Sequence, residues 1–199
     1  MSDFFTMASL VFVVGSGIRL ATPFLLAALG ETIGQRSGVL NLGVEGVMLL
    51  GAFGAYYTIL ETKTPVLGVL VGIGVGLVMG VVYGLVTVSL RAEQGISGIG
   101  IFLFGLGMSD LLFQKQVGTP LPIRGFDDWH IPLLSEIPKV GEMFFQHSVL
   151  VYLAFVLVPV VAFLINRTTF GLNIRAVGEN PAAADSLGVS VARVRYGTI

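Results

Sequence analysis

The sequence predicts an all-α protein, a polytopic transmembrane helical bundle with about five spans. Three observations carry that prediction. Hydrophobic residues fill 54% of the 199 positions and charged residues only 12%, where a soluble domain carries about 25% charged residues. Mean hydropathy is +0.90. The apolar residues also gather into runs of about 20, the length that crosses a bilayer core as a helix. The net charge of −1 comes with no basic stripe and no zinc-ligand spacing, so nothing points to nucleic acid. With 0 cysteines, disulfide and thiol chemistry within the chain are excluded.

The first span is expected from about Phe4 to Leu29. Asp3 precedes it without a basic n-region, and no small-residue cleavage site follows, so it reads as a span rather than a signal peptide. Thr22-Pro23 suits an N-cap and first helical position, which predicts a span broken in two there. The second span is expected from about Val44 to Leu60, the third from Pro65 to Leu90, the fourth from Ile96 to Phe113. The fifth runs from Val149 to Ile165 and is interrupted by Pro159. Residues 61–64 and 91–94 read as tight turns. Residues 114–147 form a long loop with Pro120, Pro122, Pro132 and Pro138.

Arginine sets the orientation. Arg167, Arg175, Arg193 and Arg195 mark residues 166–195 as a cytoplasmic loop. Alternation then places Arg36 and Arg91 inside, and the 114–147 loop and the N-terminus outside. Residues 1–165 thus form the transmembrane part. Residues 196–199 read as the start of a further span, as in the N-terminal part of a longer protein.

The richest segment is Arg36 to Gly46, RSGVLNLGVEG. It places Asn41 and Glu45 between two apolar spans, four residues apart and so on one face of a helix. Gly38, Gly43 and Gly46 let backbones approach or bend. A polar, glycine-rich break survives in lipid where protein buries it, where it lines a wet cavity, or at the membrane surface. Asn41, Gly43, Glu45 and Gly46 are therefore translocation-pathway candidates. The alternative role for Asn41 and Glu45 is to hold a helix terminus.

The third span carries glycine at 68, 72, 76, 80 and 84. Small residues at this spacing let helices cross closely, so Gly68, Gly72, Gly76, Gly80 and Gly84 read as helix packing. Asp110 reads as an interfacial charge. Arg19 either snorkels or caps a half-helix. His130 and His147 read as surface loop residues rather than metal ligands. GIGVG at 72–76 lies inside an apolar helix with no lysine after it, so it is not a phosphate loop and the chain holds no ATP itself.

Residues 178–191, GENPAAADSLGVSV, spell a short helix with defined ends. Asn180 suits the N-cap and Pro181 the first turn. Ala182 to Ala184 favour helix, and Gly188 supplies a left-handed terminator. Ala183 and Leu187 share a face. Ser190 can cap a second helix. Such a helix suits docking of a cytoplasmic partner; the plain alternative is a simple loop.

These residues resemble the cytoplasmic motif of permease subunits in ATP-binding-cassette (ABC) importers. Ala183, Ala184 and Gly188 match its two alanines and glycine, and Ala182 stands where a glutamate is expected. Residues 20–55 are similar to the signature of the permease family serving branched-chain amino acids, ribose-type sugars and nucleosides. NLGVEG, with EQGISGIGIFLFGLG at 93–107 and IPLLSEIP at 131–138, is most similar to the nucleoside and simple-sugar branch.

The resemblance implies a transport subunit and not an enzyme, working in a bacterial or archaeal cell membrane. Its implied partners are ABC ATPase subunits that hold the ATP, a second permease chain, an extracytoplasmic solute-binding protein and the lipid bilayer. Asn180, Pro181, Ala183, Ala184, Leu187 and Gly188 would couple it to the ATPase. A branched-chain amino acid permease and an ion-coupled secondary transporter are the alternatives. The latter would need a buried titratable group near mid-membrane, and Asp110 and Glu45 lie near span ends.

Overall fold

The computed structural model describes residues 7–130, 135 and 140–199. Among the described residues it is all-α apart from one two-stranded antiparallel pair, and it divides into two compact units. One comprises Met1–Leu29 and Phe126–Val161, the other Gly30–Gly125 and Ala162–Ile199.

Helix α1 runs unbroken from Met7 to Arg36 with Pro23 inside it, so the expected break at Thr22-Pro23 is absent. The threonine is used differently. Its Oγ1 donates to the Ile18 carbonyl at 2.8 Å. This i−4 back-bond gives the threonine hydroxyl a partner inside the helix, beside a proline that the spanning helix tolerates. Helix α6 (Val149–Arg167) likewise continues through Pro159.

Helices α2 (Val44–Thr62), α3 (Pro65–Gly84) and α4 (Gln94–Gln116) form the main body of the second unit, with α2 against both others. Lys63 turns the chain out of α2 in left-handed conformation, φ 55°, and Pro65 opens α3. A π-helical turn, Leu85–Ser89, ends that span. Glu93 caps α4 by accepting from the Gly95 and Ile96 amides. Among the described residues, four helices are long and apolar enough to cross a membrane: Ser9–Arg36, Pro65–Ser89, Gln94–Gln116 and Val149–Arg167. The remaining expected span, the second, is α2, which carries Glu45, Glu61, Tyr56, Tyr57 and Thr58, and these lower its hydropathy. Its 19 residues still span about 28 Å at helical rise. On α3, Leu70, Ile73, Leu77 and Val81 are each more than half exposed, as a lipid-facing surface requires.

The glycine ladder of α3 does not serve one neighbour. A Cβ on Gly68 would meet Ile59 of α2 at 2.5 Å, and one on Gly72 would lie 3.6 Å from the Gly51 carbonyl. Gly76 has nothing within 4 Å, whereas Gly80 and Gly84 face Ile199 and Tyr196. The reason is geometric. Every fourth residue advances about 40° beyond a full turn, so five such positions sweep across a helix instead of staying on one line. The tightest crossing is instead α2 on α4. A Cβ on Gly46 would lie 2.7 Å from Phe102 Cα, and one on Gly105 would strike the Gly46 carbonyl.

The long loop contains structure that the sequence left unread. Strand β1 (Asp128–His130) pairs antiparallel with β2 (Gln146–Ser148), and α5 (Val140–Phe144) lies between them in sequence. His147 is buried, with Nε2 2.8 Å from the Met143 carbonyl. This corrects its expected surface position: the strand pair turns the ring inward. The Tyr152 hydroxyl accepts from the His147 amide at 3.1 Å. The IPLLSEIP segment, Ser135 apart, lies outside the described residues.

Three short helices close the chain: α7 (Thr169–Glu179), α8 (Pro181–Ser186) and α9 (Val191–Tyr196). Ile174, Val177, Ala184 and Val194 bury one another, with Ile33 and Leu164 packed against them.

The α2–α4 crossing yields a paired prediction. Gly105→Ala should lower the unfolding temperature in detergent, because overpacking costs about 1–3 kcal/mol, or roughly 2–10 °C for a chain of this size. Gly107→Ala, with nothing within 4 Å of its Cβ, should leave the temperature unchanged.

Candidate functional site: a clasped loop and a capped helix

The segment between α1 and α2 is a loop with every turn specified. Helix α1 ends in a Schellman motif. The Val39 amide donates to the Gly34 carbonyl and the Gly38 amide to the Gln35 carbonyl, at 3.1 and 3.0 Å. Gly38 has φ +78°, the left-handed conformation that favours glycine. The chain then runs extended to Asn41, whose Oδ1 accepts from the Gly43 amide at 2.9 Å. Gly43 is the N-cap of α2.

Side chains from four other segments hold this loop. Glu31 of α1 accepts from the Asn41 amide at 3.0 Å. Gln94 of α4 accepts from the Leu40 amide at 2.8 Å and donates to the Gly38 carbonyl at 3.2 Å. The Tyr83 hydroxyl donates to the Leu40 carbonyl, and Tyr83 is almost fully buried. Ser37 Oγ lies 2.8 Å from Thr198 Oγ1, both in buried residues.

The C-terminal helices meet the same loop. A Cβ on Gly178, at the end of α7, would strike the Arg36 carbonyl, so the two backbones touch. The Tyr196 hydroxyl lies 2.6 Å from Ser89 Oγ. Helix α8 is built as its sequence indicates. Asn180 Oδ1 accepts from the Ala183 amide at 3.0 Å, Pro181 occupies the first turn, and Gly188 has φ +85°. Ala184 is buried against α7 and α9. Ala183 is exposed, and Leu187 is 84% exposed.

The sequence profile of the branched-chain amino acid transport system / permease component family matches residues 13–199. The chain belongs to that family. It is similar to a putative glucose ABC transporter permease protein of Haloferax volcanii, 41% identical over 183 residues, which cover 90% of this chain and 55% of the relative. A nucleoside ABC transporter permease protein of Lactococcus lactis is 34% identical over 197 residues, covering 94% of this chain and 62% of the relative. A guanosine ABC transporter permease protein of Bacillus subtilis is 34% identical over 198 residues, covering 92% and 61%. This permease chain thus spans less than two thirds of the length of these relatives. No solved structure matches it significantly.

One expectation for the permease's polar break needs correction. Asn41 precedes α2 and is not helical, so it does not share a helix face with Glu45. Glycine and the Asx turn delay the helix by three residues. Gly43 and Gly46 are buried. A Cβ on either would lie within 2.7 Å of Ile101 or Phe102, so both pack against α4. Glu45 is exposed in the first turn of α2, where a carboxylate suits the helix dipole.

The residues that sequence reasoning missed are Glu31, Gln94 and Tyr83. Each is a polar group at or near the end of an apolar span. A loop that interrupts helices needs donors and acceptors from somewhere, but no spacing in the sequence says which residues supply them. Among the described residues no cluster of His, Asp or Glu has the make-up of a metal site.

Gln94→Ala removes one acceptor and one donor from the loop. A net hydrogen bond contributes about 0.5–1.5 kcal/mol, so exchange of the Leu40 amide should accelerate roughly two- to tenfold. Hydrogen–deuterium exchange read by mass spectrometry checks this. Glu93, beside it, has its carboxyl pKa lowered by the bonds from the Ile96 and Gly95 amides. A lowered folded value means the cap stabilises above the ordinary carboxylate range and is lost as pH falls through the folded value. Glu93→Gln should therefore lower stability most near neutrality and little in acid, flattening the acid limb, as thermal unfolding against pH would show.

Proposed function

We propose that this chain is the membrane part of an ABC importer permease that carries nucleosides or simple sugars. Family membership and the names of the similar permeases support the class and the solutes. The arginine-rich end, where Arg36, Arg91, Arg175 and Arg195 gather, is then cytoplasmic. Residues 114–147 face the extracytoplasmic binding protein. ABC ATPase subunits dock on α8, and a second permease chain completes the pathway.

The single observation that carries the coupling role is Leu187. Leucine at 84% exposure on a short, fully capped helix is unexplained by the chain's own packing. As an anchor in a partner's groove it is accounted for. The base of that helix is rigid, because Ala184 is buried with Ile174, Val177 and Val194. Asn180, Pro181, Ala183 and Gly188 shape and present it.

The transmission path is short. Movement of α8 passes to α7, whose Gly178 backbone sits on the Arg36 carbonyl, and so to the loop that starts α2. Close-packed backbones transmit displacement without a flexible side chain to absorb it. ATP bound by the partner supplies the bias through its different affinities for two states of the assembly. The chain contributes no bond chemistry.

Leu187→Ala tests the docking role without disturbing the fold. Loss of an interface anchor costs about 1–2 kcal/mol, so solute uptake in reconstituted vesicles should fall roughly five- to thirtyfold with membrane insertion and unfolding temperature unchanged. Full uptake by this variant would remove α8 as the docking element.

A further inference from the structure

Two grooves open on α2. The one shared with α3 has a volume of about 610 Å³ and is lined by Leu, Val, Met and Gly alone, as expected of a surface for acyl chains or another helix. The one shared with α4 differs. It has about 670 Å³, and its lining includes Phe53, Tyr56, Phe113, Ser109 and Asp110. We propose that this α2–α4 groove is the solute-contacting surface of the chain, holding a ring-shaped polar solute by aromatic faces and by hydrogen bonds to Asp110 and Ser109. The proposal rests on the importer reading above and replaces Asn41 and Glu45 as solute contacts.

The position of Asp110 is the first argument. It is exposed on a membrane-spanning helix beside Leu106 and Leu111, which are also exposed. Near the end of its span this carboxylate meets water or a polar cavity more readily than lipid, and it lines the α2–α4 groove. Its Oδ2 accepts from Gln114 Nε2 at 2.7 Å. A carboxylate offers about four acceptor sites, so this bond leaves capacity for the paired hydroxyls of a ribose or a hexose.

The aromatic residues are the second argument. The Tyr56 and Phe113 rings lie 6.0 Å apart at 43°, and Phe53 stacks on Tyr57 at 5.9 Å. Flat apolar faces beside a few fixed polar atoms are the usual make-up of a small-molecule site. Tyr56 is held in place: its hydroxyl donates to the Leu121 carbonyl and accepts from the Leu121 amide, each at 2.9 Å. Gly107, with nothing within 4 Å of its Cβ, keeps the floor open.

These 199 residues carry 0 cysteines, so the test uses the complete importer, reconstituted in vesicles with its ATPase, second permease and binding protein, each cysteine elsewhere replaced by serine. Ser109→Cys provides one thiol in the groove, and Val78→Cys provides one in the apolar α2–α3 groove. Guanosine and glucose are the solutes, and the probe is a small polar thiosulfonate. Either solute should slow modification at position 109 at least fivefold and leave position 78 unaffected. Asp110→Asn should raise KM for uptake at least fivefold. A rate at position 109 that neither solute alters, or a thiol there that never reacts, would overturn the groove assignment, provided vesicles of the unsubstituted protein import either solute. The second result would mean that protein fills the groove. Failure of those unsubstituted vesicles to import either solute would overturn the importer reading instead, and the groove assignment with it.

Discussion

Irregular backbone between two membrane helices must find its hydrogen bonds within the protein, because the hydrocarbon core offers none. The loop from Ser37 to Gly43 finds them from several directions at once. Its own Asn41 closes the turn into α2. Glu31, Gln94 and Tyr83 reach it from α1, α4 and α3. Those bonds fix where α2 starts and how closely α3 and α4 approach the loop. The glycines at 43, 46, 98 and 105 then follow from the same constraint, since only hydrogen at Cα lets α2 and α4 backbones come that close.

The same loop also joins the permease's membrane helices to its polar C-terminal segment. Ser37 meets Thr198, Gly38 lies against Gly178, and Gly178 rests on the Arg36 carbonyl. Far apart in sequence, these residues form one contiguous contact. The loop that carries the family signature and the capped helix α8 are therefore linked through one packed unit. Ala184 of α8 is buried in that unit, and Leu187, its C-cap, is exposed.

Much of this was legible beforehand, and the reasons differ by element. The spans and the ends of α8 were readable because they depend on local signals: apolar run length, Asn180 with Pro181, and Gly188. The unbroken α1 and α6 were not, because a spanning helix tolerates proline where its surroundings re-satisfy the freed backbone, and local sequence does not record those surroundings. Helix α7 was hidden inside a polar segment whose amphipathic face is built by Ile174 and Val177. The clasp itself was invisible for a different reason. Glu31, Tyr83 and Gln94 become partners of one loop only once three helices are side by side, and no spacing in the sequence records that. The α3 glycines show the converse, where a regular spacing suggested one crossing and the helical twist distributed it over two neighbours.

The central claim is that the clasped loop and the C-terminal helices transmit movement through direct backbone contact. Gly178→Ala inserts a methyl group at that contact, and the decisive measurement is solute imported per ATP hydrolysed by the reconstituted importer carrying this change. The account predicts that hydrolysis persists while the ratio drops severalfold, because the ATPase still docks but its motion no longer reaches α2 in register. An unchanged ratio in correctly inserted protein would contradict it.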